Sequence, residues 1–580
     1  MSPGVNSGAV ILTAIAVRLW LLDDPLNPPN LAEKLNATYD YIVVGGGSAG
    51  SVVASRLSED QGTSVLLLEA GDYDDHLPSI IVPGLGFLNY RSRNDWLFET
   101  EPQPGFMDGL KDARSYWPRG RVLGGTSSIN GMVYVRGSRH DYDRWAEYTK
   151  DQRWSYNNLL PYFKKSEDMK IPELQNSSYH GYKGPLAVSL MNTVPLSNKL
   201  IEAGQAAGYP YNVDYNEETM EGISHSHVTM LNGERMSASR AFLHPVLNRT
   251  NLHVAVRAHV TRIHIQNKRA ESVEVIKDSR RYSVNARREI ILSAGVLASP
   301  QLLMLSGIGP RKHLEDLQIP VIADLPVGQN LQDHVLFDLA VRIKEALTIP
   351  LTGILTWWTK LQYIMFRSGP LSSNTGGEVM VFRSTTNETK DKDWPDLQLI
   401  FNIYKPSVNG MYIFNYAEKV NNLKLLVTYF QPHPNPYIRH ATGVICDNYG
   451  FSCFPILLRP ESRGNITLTS RDPFDYPIIQ ANYLNNLQEH TYNSHEYWEC
   501  MIKHRPVSVY HPVGTCKMGP SGDPTAVVDS VMVHGITGLR VVDASIMPWL
   551  VSGNTNAPTI MIGEWAADLI KGGQLSPRNT

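Results

Sequence analysis

Apolar residues near the start of the chain, separated by a glycine-rich turn, predict a strand, a helix and a second strand. Tyr41–Val44 is a short, apolar and β-branched run, which is typical of a buried strand. Ser51–Leu57 follows the glycines and predicts a helix, and Ser64–Ala70 predicts the second strand. The folded part of the chain is therefore expected to begin with a strand–helix–strand unit.

Hydrophobic periodicity predicts that helices and strands continue to alternate along the chain. The predicted helices are Trp154–Lys165, Leu196–Ala207, Gly295–Leu305 and Ala557–Lys571, and the predicted strands are Asn251–Val256, Thr261–Ile265, Glu289–Ser293 and Leu539–Asp543. From about residue 335 to 480, short strand-like runs such as Leu397–Tyr404 and Leu425–Gln431 alternate with loops that contain proline. This second pattern predicts a region built on an antiparallel sheet.

Three glycines in the first turn have the spacing that dinucleotide-binding proteins use. Gly45, Gly47 and Gly50 form a G-x-G-x-x-G pattern between the predicted strand and helix. The first permits a tight turn, the second lets a pyrophosphate approach the backbone, and the third lets the helix pack on the strand. Glu69 ends the second strand, where a carboxylate can bind a ribose hydroxyl. Glycine turns also have purely structural uses, but this context favours dinucleotide binding.

Composition narrows the class of protein. The chain has 580 residues, of which 42% are hydrophobic and 19% charged, so it can form large cores and more than one domain. A net charge of −3 without a long basic run indicates neither a nucleic-acid binder nor a protein of anionic membranes. The four cysteines lack zinc-ligand spacing, so we expect no metal site. A disulfide between Cys446 and Cys453 and a set of four buried thiols are equally good interpretations.

Residues 1–35 are interpreted as a signal-like or anchor-like segment and a linker. Ala9–Val17 is apolar, but it is too short for a membrane span and Arg18 follows it, so no integral membrane span is expected. Five asparagines begin N-x-S/T sequons, and these are Asn36, Asn176, Asn248, Asn387 and Asn465. Both features favour a secreted, extracellular glycoprotein.

Several further motifs follow one another in an order that points to a known family. They are Gly120–Tyr134, Gly295–Gly309, Val327–His334, Tyr510–Gly519, Gly538–Pro548 and Ser552–Pro558. Together they resemble the glucose–methanol–choline (GMC) family of flavin oxidoreductases, most closely its invertebrate glucose dehydrogenase (FAD, quinone)-like branch. The resemblance extends from about residue 38 to 572, which is nearly the whole chain.

The resemblance implies an α/β fold with two regions. A Rossmann-like FAD-binding domain would be built from discontinuous segments, and a substrate-binding domain would contain an antiparallel sheet and helices. We expect the FAD-binding domain to span residues 38–334, with substrate-domain insertions around 150–230. Residues 335–495 would be mainly the substrate-binding domain, and residues 505–572 would return to the FAD-binding domain with the catalytic residues.

FAD is the cofactor that the resemblance implies, with the glycine turn at its phosphates. Some relatives link FAD covalently to a His at the position of Ile129, which has no nucleophile here, so we expect non-covalent FAD. Trp96 is expected either to cover the flavin ring or merely to pack. The expected cofactor-binding residues are Gly45, Gly47, Ser48, Ala49, Gly50, Glu69, Ala70, Trp96, Arg121, Gly125, Thr126, Asn130, Gly131, Met132, Val133, Val260, Asp543, Ala544 and Thr555.

Alcohol oxidation by hydride transfer needs a base for the hydroxyl proton and an acceptor for the hydride. The resemblance implies that flavin N5 is the acceptor, that His511 is the base and that Asn554 is its partner. An amide can hold the substrate oxygen but cannot take the proton, so His511 would be the sole base. His334 and His504 are expected to be structural histidines.

The implied activity is that of an FAD-dependent alcohol dehydrogenase or oxidase that is reoxidised by a quinone or O₂. The substrate would be a sugar, a steroid, or a small aryl or aliphatic alcohol, and no residue chooses among them. Residues 484–496 are shorter than the corresponding part of relatives, which puts the substrate pocket in doubt. The alternatives are a flavin-binding protein with little or no turnover and a flavin-containing lyase.

Overall fold

The structure is a computed structural model. It describes residues 30–572 except 75–76, 104–105, 108–109, 192–193, 349–355, 375–376, 403–449 and 484–505. Several expectations therefore lie wholly or partly outside the described residues: the N-terminal signal-like segment, the end of the strand Leu397–Tyr404, the strand Leu425–Gln431, Cys446 of the expected disulfide, the shortened segment 484–496 and His504.

A nine-stranded sheet, the first sheet, joins the N-terminal and C-terminal parts of the chain. Its main path runs through Leu252–Ala255, Val65–Leu68, Thr38–Val44, Arg280–Leu292, Leu539–Val541, Met532–Val533 and Val528–Asp529. The first five strands of this path are parallel. Val65–Leu68 is buried throughout, and Thr38–Val44 nearly so. Continuous apolar runs form these strands because a parallel sheet is covered on both faces.

An antiparallel extension widens the first sheet beside Arg280–Leu292. Ala258–Gln266 pairs with Arg269–Lys277, which in turn pairs with Arg280–Leu292. The sequence predicts a strand only at Glu289–Ser293, the apolar end of this long element. Residues 280–288 alternate exposed charged side chains with buried small ones, so they contain no continuous apolar run that would reveal a strand.

The second sheet has seven strands and is antiparallel throughout. It contains Gly222–His225, Val335–Leu336, Leu339–Arg342, Gly377–Arg383, Leu397–Asn402, Gly450–Leu457 and Val507–Ser508. The predicted antiparallel region is therefore confirmed, and Leu397–Asn402 lies inside the predicted strand Leu397–Tyr404. Strands from before residue 230 and after residue 505 also join it, and the exact domain boundaries stay a prediction.

Helices pack against both sheets, with Ser48–Leu57 and Gly295–Leu305 on the first and Pro195–Ala206 on the second. The α-helices are Ser48–Leu57, Pro78–Ile81, Arg139–Thr149, Tyr156–Ser166, Pro195–Ala206, Gly295–Leu305, Arg311–Asp316, Trp357–Phe366, Asn387–Asp391 and Asn556–Ile570. Small strands complete the fold: Phe98–Glu99, Tyr116–Trp117, Glu167–Met169, Leu186–Leu190, His227–Val228, Met230–Leu231, Glu234–Arg235, Ile308–Gly309, Ala323–Asp324, Asn465–Thr467 and Ile478–Gln480. The predicted helices at 154–165, 196–207, 295–305 and 557–571 agree with these bounds to within two residues.

The last helix packs on the first and brings the C-terminal motif to the glycine turn. A Cβ added at Gly563 would lie 3.0 Å from the carbonyl oxygen of Ala49, so glycine permits this close approach. Arg56 forms an ion pair with Glu564, at 2.7 Å between Nη2 and Oε1, and the Glu564 side chain is fully buried. Lys165 approaches the same carboxylate.

Two further expectations concern disulfide pairing and a membrane span. Among the described residues Cys453 and Cys516 form no disulfide, and because Cys446, the expected partner of Cys453, lies outside them, the pairing stays a prediction. Within the described ranges, no helix combines the length and hydropathy that crossing a bilayer requires.

Arg56→Met is expected to lower the free energy of unfolding by about 3 kcal/mol, because it leaves the buried Glu564 carboxylate with a weaker counter-ion. The matched control is Arg257→Met, which removes exposed ion pairs and is expected to cost less than about 1 kcal/mol. Urea unfolding of the two FAD-loaded variants measures both values. Equal losses would contradict the role given to the Arg56–Glu564 pair.

Candidate active site

A cavity of about 460 Å³ extends from the glycine turn to the C-terminal motifs. Gly45 and Gly47 line one part of it, while His511 and Asn554 line another. The two ends of the sequence therefore meet in one continuous space. This is the arrangement that the sequence predicted for a dinucleotide and a base.

The glycine turn has the shape of a phosphate-binding cradle. Gly45 has φ +100°, and a Cβ there would lie 2.4 Å from the carbonyl oxygen of Ser293. A Cβ at Gly50 would lie 1.9 Å from the carbonyl oxygen of Gly45, so larger residues are excluded at both positions. The helix Ser48–Leu57 starts after Gly47 without a side-chain cap, which leaves its first amides for an anion.

Glu69 lies at the end of Val65–Leu68, as predicted. Its Oε2 accepts a hydrogen bond from the amide of Gly46 at 2.9 Å, and its Oε1 accepts one from Gly71 at 2.7 Å. Burial raises the pKa of Glu69 to about 7. Each carboxylate oxygen has a second lone pair, so the group can still accept a ribose hydroxyl.

The expected cofactor residues line the cavity, with one exception. Gly50 packs beneath the turn instead of lining it, which agrees with a helix-packing role. Asp543 lines the cavity, but its carboxylate accepts hydrogen bonds from the Gly295 amide, the Ser299 hydroxyl and the Ser545 amide. It thus secures the start of Gly295–Leu305. The cofactor role of each residue stays a prediction.

Trp96 belongs to an aromatic cluster at the Val260 side of the cavity. Its ring lies 6.0 Å from that of Phe98 and 5.8 Å from that of His259, which precedes Val260. The Arg121 guanidinium lies 4.9 Å from the Trp96 ring centroid. These contacts favour the packing interpretation of Trp96 over a cover for the flavin ring.

The motif residues Asp333 and His334 hold the segment that carries the expected base. Asp333 Oδ1 accepts a hydrogen bond from the His511 amide at 2.9 Å, and Oδ2 accepts one from the Ser508 hydroxyl. The Val509 amide donates to the carbonyl oxygen of His334 at 3.0 Å. The backbone around His511 is therefore fixed from an element about 180 residues earlier in the chain.

His334 also fixes the tautomer of His511. His334 Nε2 lies 3.0 Å from the carbonyl oxygen of Leu458, which can only accept, so this nitrogen carries the proton. The Nδ1 of neutral His334 is then an acceptor, and it lies 3.0 Å from His511 Nδ1, which must donate. His511 Nε2 is left as the acceptor, and Asn554 Nδ2 donates a hydrogen bond to it at 3.1 Å. His334 is a buried histidine with partners on both ring nitrogens, as expected of a structural residue, and what it holds in place is the His511 ring.

Both imidazoles are neutral at pH 7 because the site disfavours positive charge. Burial lowers the pKa of His334 to about 4. The pKa of His511 lies well below its usual range, first because the ring is buried and then because His334 and Arg119 are close. A neutral His511 is the form that can accept a proton.

Two unsatisfied polar atoms point into the same region. The Oδ1 of Asn554 and the Nε of Arg119 are buried and have no hydrogen-bond partner among the described residues. Arg119 Nη2 donates to the carbonyl oxygen of Tyr510, beside His511. The sequence analysis missed Arg119, although its position directly before the Gly120–Tyr134 motif is a signal that could have found it.

Comparison with known proteins identifies the family. Models described as GMC oxidoreductase match residues 39–336 and 484–563. Glucose dehydrogenase [FAD, quinone] of Drosophila melanogaster is 38% identical over 577 residues, covering 92% of this chain and 87% of that protein. The chain belongs to the GMC oxidoreductase family. The resemblance that the motifs indicated is thus confirmed.

Other GMC relatives and structures agree. Mitochondrial choline dehydrogenase of Mus musculus is 38% identical, covering 92% of this chain and 89% of that protein. The crystal structure of pyridoxine 4-oxidase from Mesorbium loti has a TM-score of 0.75 at 28% identity, covering 92% of this chain and all of that one. Formate oxidase has a TM-score of 0.76 at 25% identity, covering 93% and 99%. The predicted α/β fold is confirmed.

FAD is the cofactor of this GMC protein, and the residues present fit it. The uncapped helix start and the glycine cradle suit the phosphates, and the cavity continues from there to His511. Ile129 is buried and offers no nucleophile, so a non-covalent FAD stays the prediction. The alignment with the fly protein is 577 residues long yet covers 92% of the 580-residue chain, so that protein has residues that this chain lacks.

The pH dependence of flavin reduction follows from the lowered pKa of His511. The base form is already complete at pH 7, so the rate should stay constant from pH 8 down to pH 6.5 and fall only at lower pH. Arg119→Met removes a neighbouring cation, raises the pKa of His511 and should move the acid limb to higher pH. Anaerobic stopped-flow absorbance measures the profile.

The control for this profile is Arg93→Met, which removes an exposed cation and should leave the acid limb in place. An acid limb at the same pH in the Arg119→Met and wild-type proteins would contradict the electrostatic role of Arg119.

Proposed function

We propose that His511 removes the hydroxyl proton of an alcohol substrate. Its Nε2 is unprotonated and accepts a hydrogen bond from Asn554 Nδ2 at 3.1 Å, inside the cavity that contains the glycine turn. An alcohol that replaces this hydrogen bond would donate its proton to His511 Nε2, and its oxygen would accept a hydrogen bond from Asn554 Nδ2. Bound FAD supplies the hydride acceptor for the CH–OH carbon. This His511–Asn554 pair is the observation that carries the proposal.

The residues around His511 orient its ring and keep it neutral. His334 holds the His511 ring with Nε2 toward the cavity, and Asp333 holds the backbone of the same residue. Arg119 and burial keep the imidazole neutral, so no proton has to be lost before the reaction. A well-placed base of this kind contributes about 10²–10⁴ in rate.

The substrate class follows from the names of the relatives. These include glucose, choline and alcohol dehydrogenases, so the proposed substrate is an alcohol, whether a sugar, a steroid, or a small aryl or aliphatic alcohol. Quinone and oxygen both occur in relatives' names, and we propose one of them as the oxidant that regenerates the cofactor. The alternatives of a lyase and of a protein without turnover gain no support from the relatives.

Secretion stays a proposal, and surface exposure of the sequons supports it. Asn36, Asn176, Asn248 and Asn387 are exposed, and Asn465 is half-buried, so at least four sites are accessible to glycosylation. The mitochondrial name of the choline dehydrogenase relatives is the competing observation.

His511→Ala tests the function. The variant should retain bound FAD but lose about 10²–10⁴ in the rate at which an alcohol bleaches the flavin under nitrogen. The matched control is His264→Ala, which removes a half-exposed imidazole from the surface of the first sheet and should react like the wild type. Full-rate bleaching by His511→Ala would overturn the proposal.

A further inference from the structure

We infer that the substrate is an uncharged, predominantly apolar alcohol, such as a medium-chain alkanol or a benzylic alcohol, rather than a sugar or a quaternary amine. This inference rests on the proposed function and narrows it. It follows from the walls that the described residues place around His511.

One face of the second sheet forms the apolar wall of this compartment. Ile400 and Phe454 are direct cross-strand neighbours, and both line the cavity. Leu336 from the next strand, Val133 and Val509 line the same cavity and pack in the same apolar cluster. Ile400, Phe454 and Val509 are only half-buried, so they present apolar surface to the cavity that a ligand can cover.

Gly377 leaves room beside this wall. It pairs with Asn402 across the sheet and lines the cavity. A Cβ added there would lie 3.3 Å from Cγ2 of Ile400, so a larger residue would narrow the space next to the apolar wall.

Negative charge is absent from the walls around His511, within the part of the chain that is described. The carboxylates that line the cavity are Glu69, Asp475 and Asp543. Glu69 lies at the glycine turn, Asp543 bonds to the start of Gly295–Leu305, and Asp475 bonds to the Ser470 hydroxyl. No described carboxylate on the cavity wall is therefore placed to pair with a quaternary ammonium beside His511.

A cation beside His511, Arg119, disfavours a cationic substrate, whereas the Asp333 carboxylate that accepts from the His511 amide is buried and does not line the cavity. Arg119 bonds to the carbonyl oxygen of Tyr510, beside His511, and its positive charge contributes to the low pKa of the base. A trimethylammonium group would add a second cation to this buried region, and burying an unpaired charge is costly.

A polyol would also be poorly matched. Asn374 lines the compartment, but its Nδ2 donates to the Gly131 carbonyl at 2.7 Å and its Oδ1 accepts from the Gly377 amide at 3.1 Å. The hydroxyls of a sugar would lose water against Leu336, Ile400, Phe454 and Val509 without gaining hydrogen bonds from them. The reacting hydroxyl has His511 and Asn554 as partners, and the Nε of Arg119, unpartnered among the described residues, is a further donor, which are too few groups for the several hydroxyls of a sugar.

Anaerobic flavin bleaching with a matched set of alcohols tests the inference. The set is butan-1-ol, hexan-1-ol, benzyl alcohol, glucose and choline, each titrated against the FAD-loaded protein. Each methylene from butanol to hexanol should raise the ratio of bleaching rate to dissociation constant about fourfold, from about 0.8 kcal/mol per buried methylene. Glucose and choline should lie at least about 100-fold below benzyl alcohol.

The outcomes distinguish a failure of the inferred substrate class from a failure of the proposed alcohol oxidation. If glucose or choline bleaches the flavin faster than every apolar alcohol, the inference is overturned while alcohol oxidation stands. If no alcohol bleaches the flavin of a protein that holds FAD, the proposed function fails and the inference falls with it.

Phe454→Ala tests the wall directly. This variant should lower the preference for benzyl alcohol over butan-1-ol about tenfold, because it removes the largest apolar side chain facing the substrate. Leu457→Ala, an exposed position on the opposite face of the same strand, is the matched control and should keep the wild-type preference. If Phe454→Ala still binds FAD and keeps the wild-type preference for benzyl alcohol over butan-1-ol, the role given to the apolar wall is contradicted.

Discussion

The hydrogen bond between the Nδ1 atoms of His334 and His511 is the constraint on which the rest of the site depends. It joins two residues 177 positions apart at 3.0 Å, and the Leu458 carbonyl sets its direction. With the proton of His511 committed to Nδ1, the other nitrogen faces Asn554 as a free base. Two neutral rings can share a buried space because neither carries a charge that must be solvated.

The first sheet brings together the segments that form the phosphate cradle and its surroundings. The parallel strands Thr38–Val44, Arg280–Leu292 and Leu539–Val541 lie side by side, so the segments that follow each of them meet at one edge. The first segment is the glycine turn, the second begins Gly295–Leu305, and the third contains Asp543. The bond from Asp543 to the Gly295 amide ties the last two together. This sheet edge thus gathers the segments expected at the cofactor, while His511 reaches the same cavity from the end of Val507–Ser508 in the second sheet.

The sequence alone predicts those parts of the site whose structure depends on residues that are close together in the chain. The apolar run before Gly45, the glycine spacing and the carboxylate of Glu69 are properties of a short segment, and the structure places them as predicted. His511 and Asn554 were found through motif resemblance, and they do meet in space.

Other features depend on contacts that a single sequence does not reveal. The roles of His334 and Arg119 come from partners on other elements, at Leu458 and Tyr510. The strand before Glu289 has no apolar run, because its charged residues face water and its pairing with Arg269–Lys277 defines it. The apolar wall requires the register that puts Ile400 opposite Phe454.

A neutron crystal structure of the FAD-loaded protein at pH 7 would test the central claim most directly, because it locates the exchangeable hydrogens of each imidazole. The account predicts deuterium on Nδ1 of His511 and on Nε2 of His334, with Nε2 of His511 bare. Deuterium on Nε2 of His511 would contradict it, since that nitrogen could then no longer accept a proton from an alcohol.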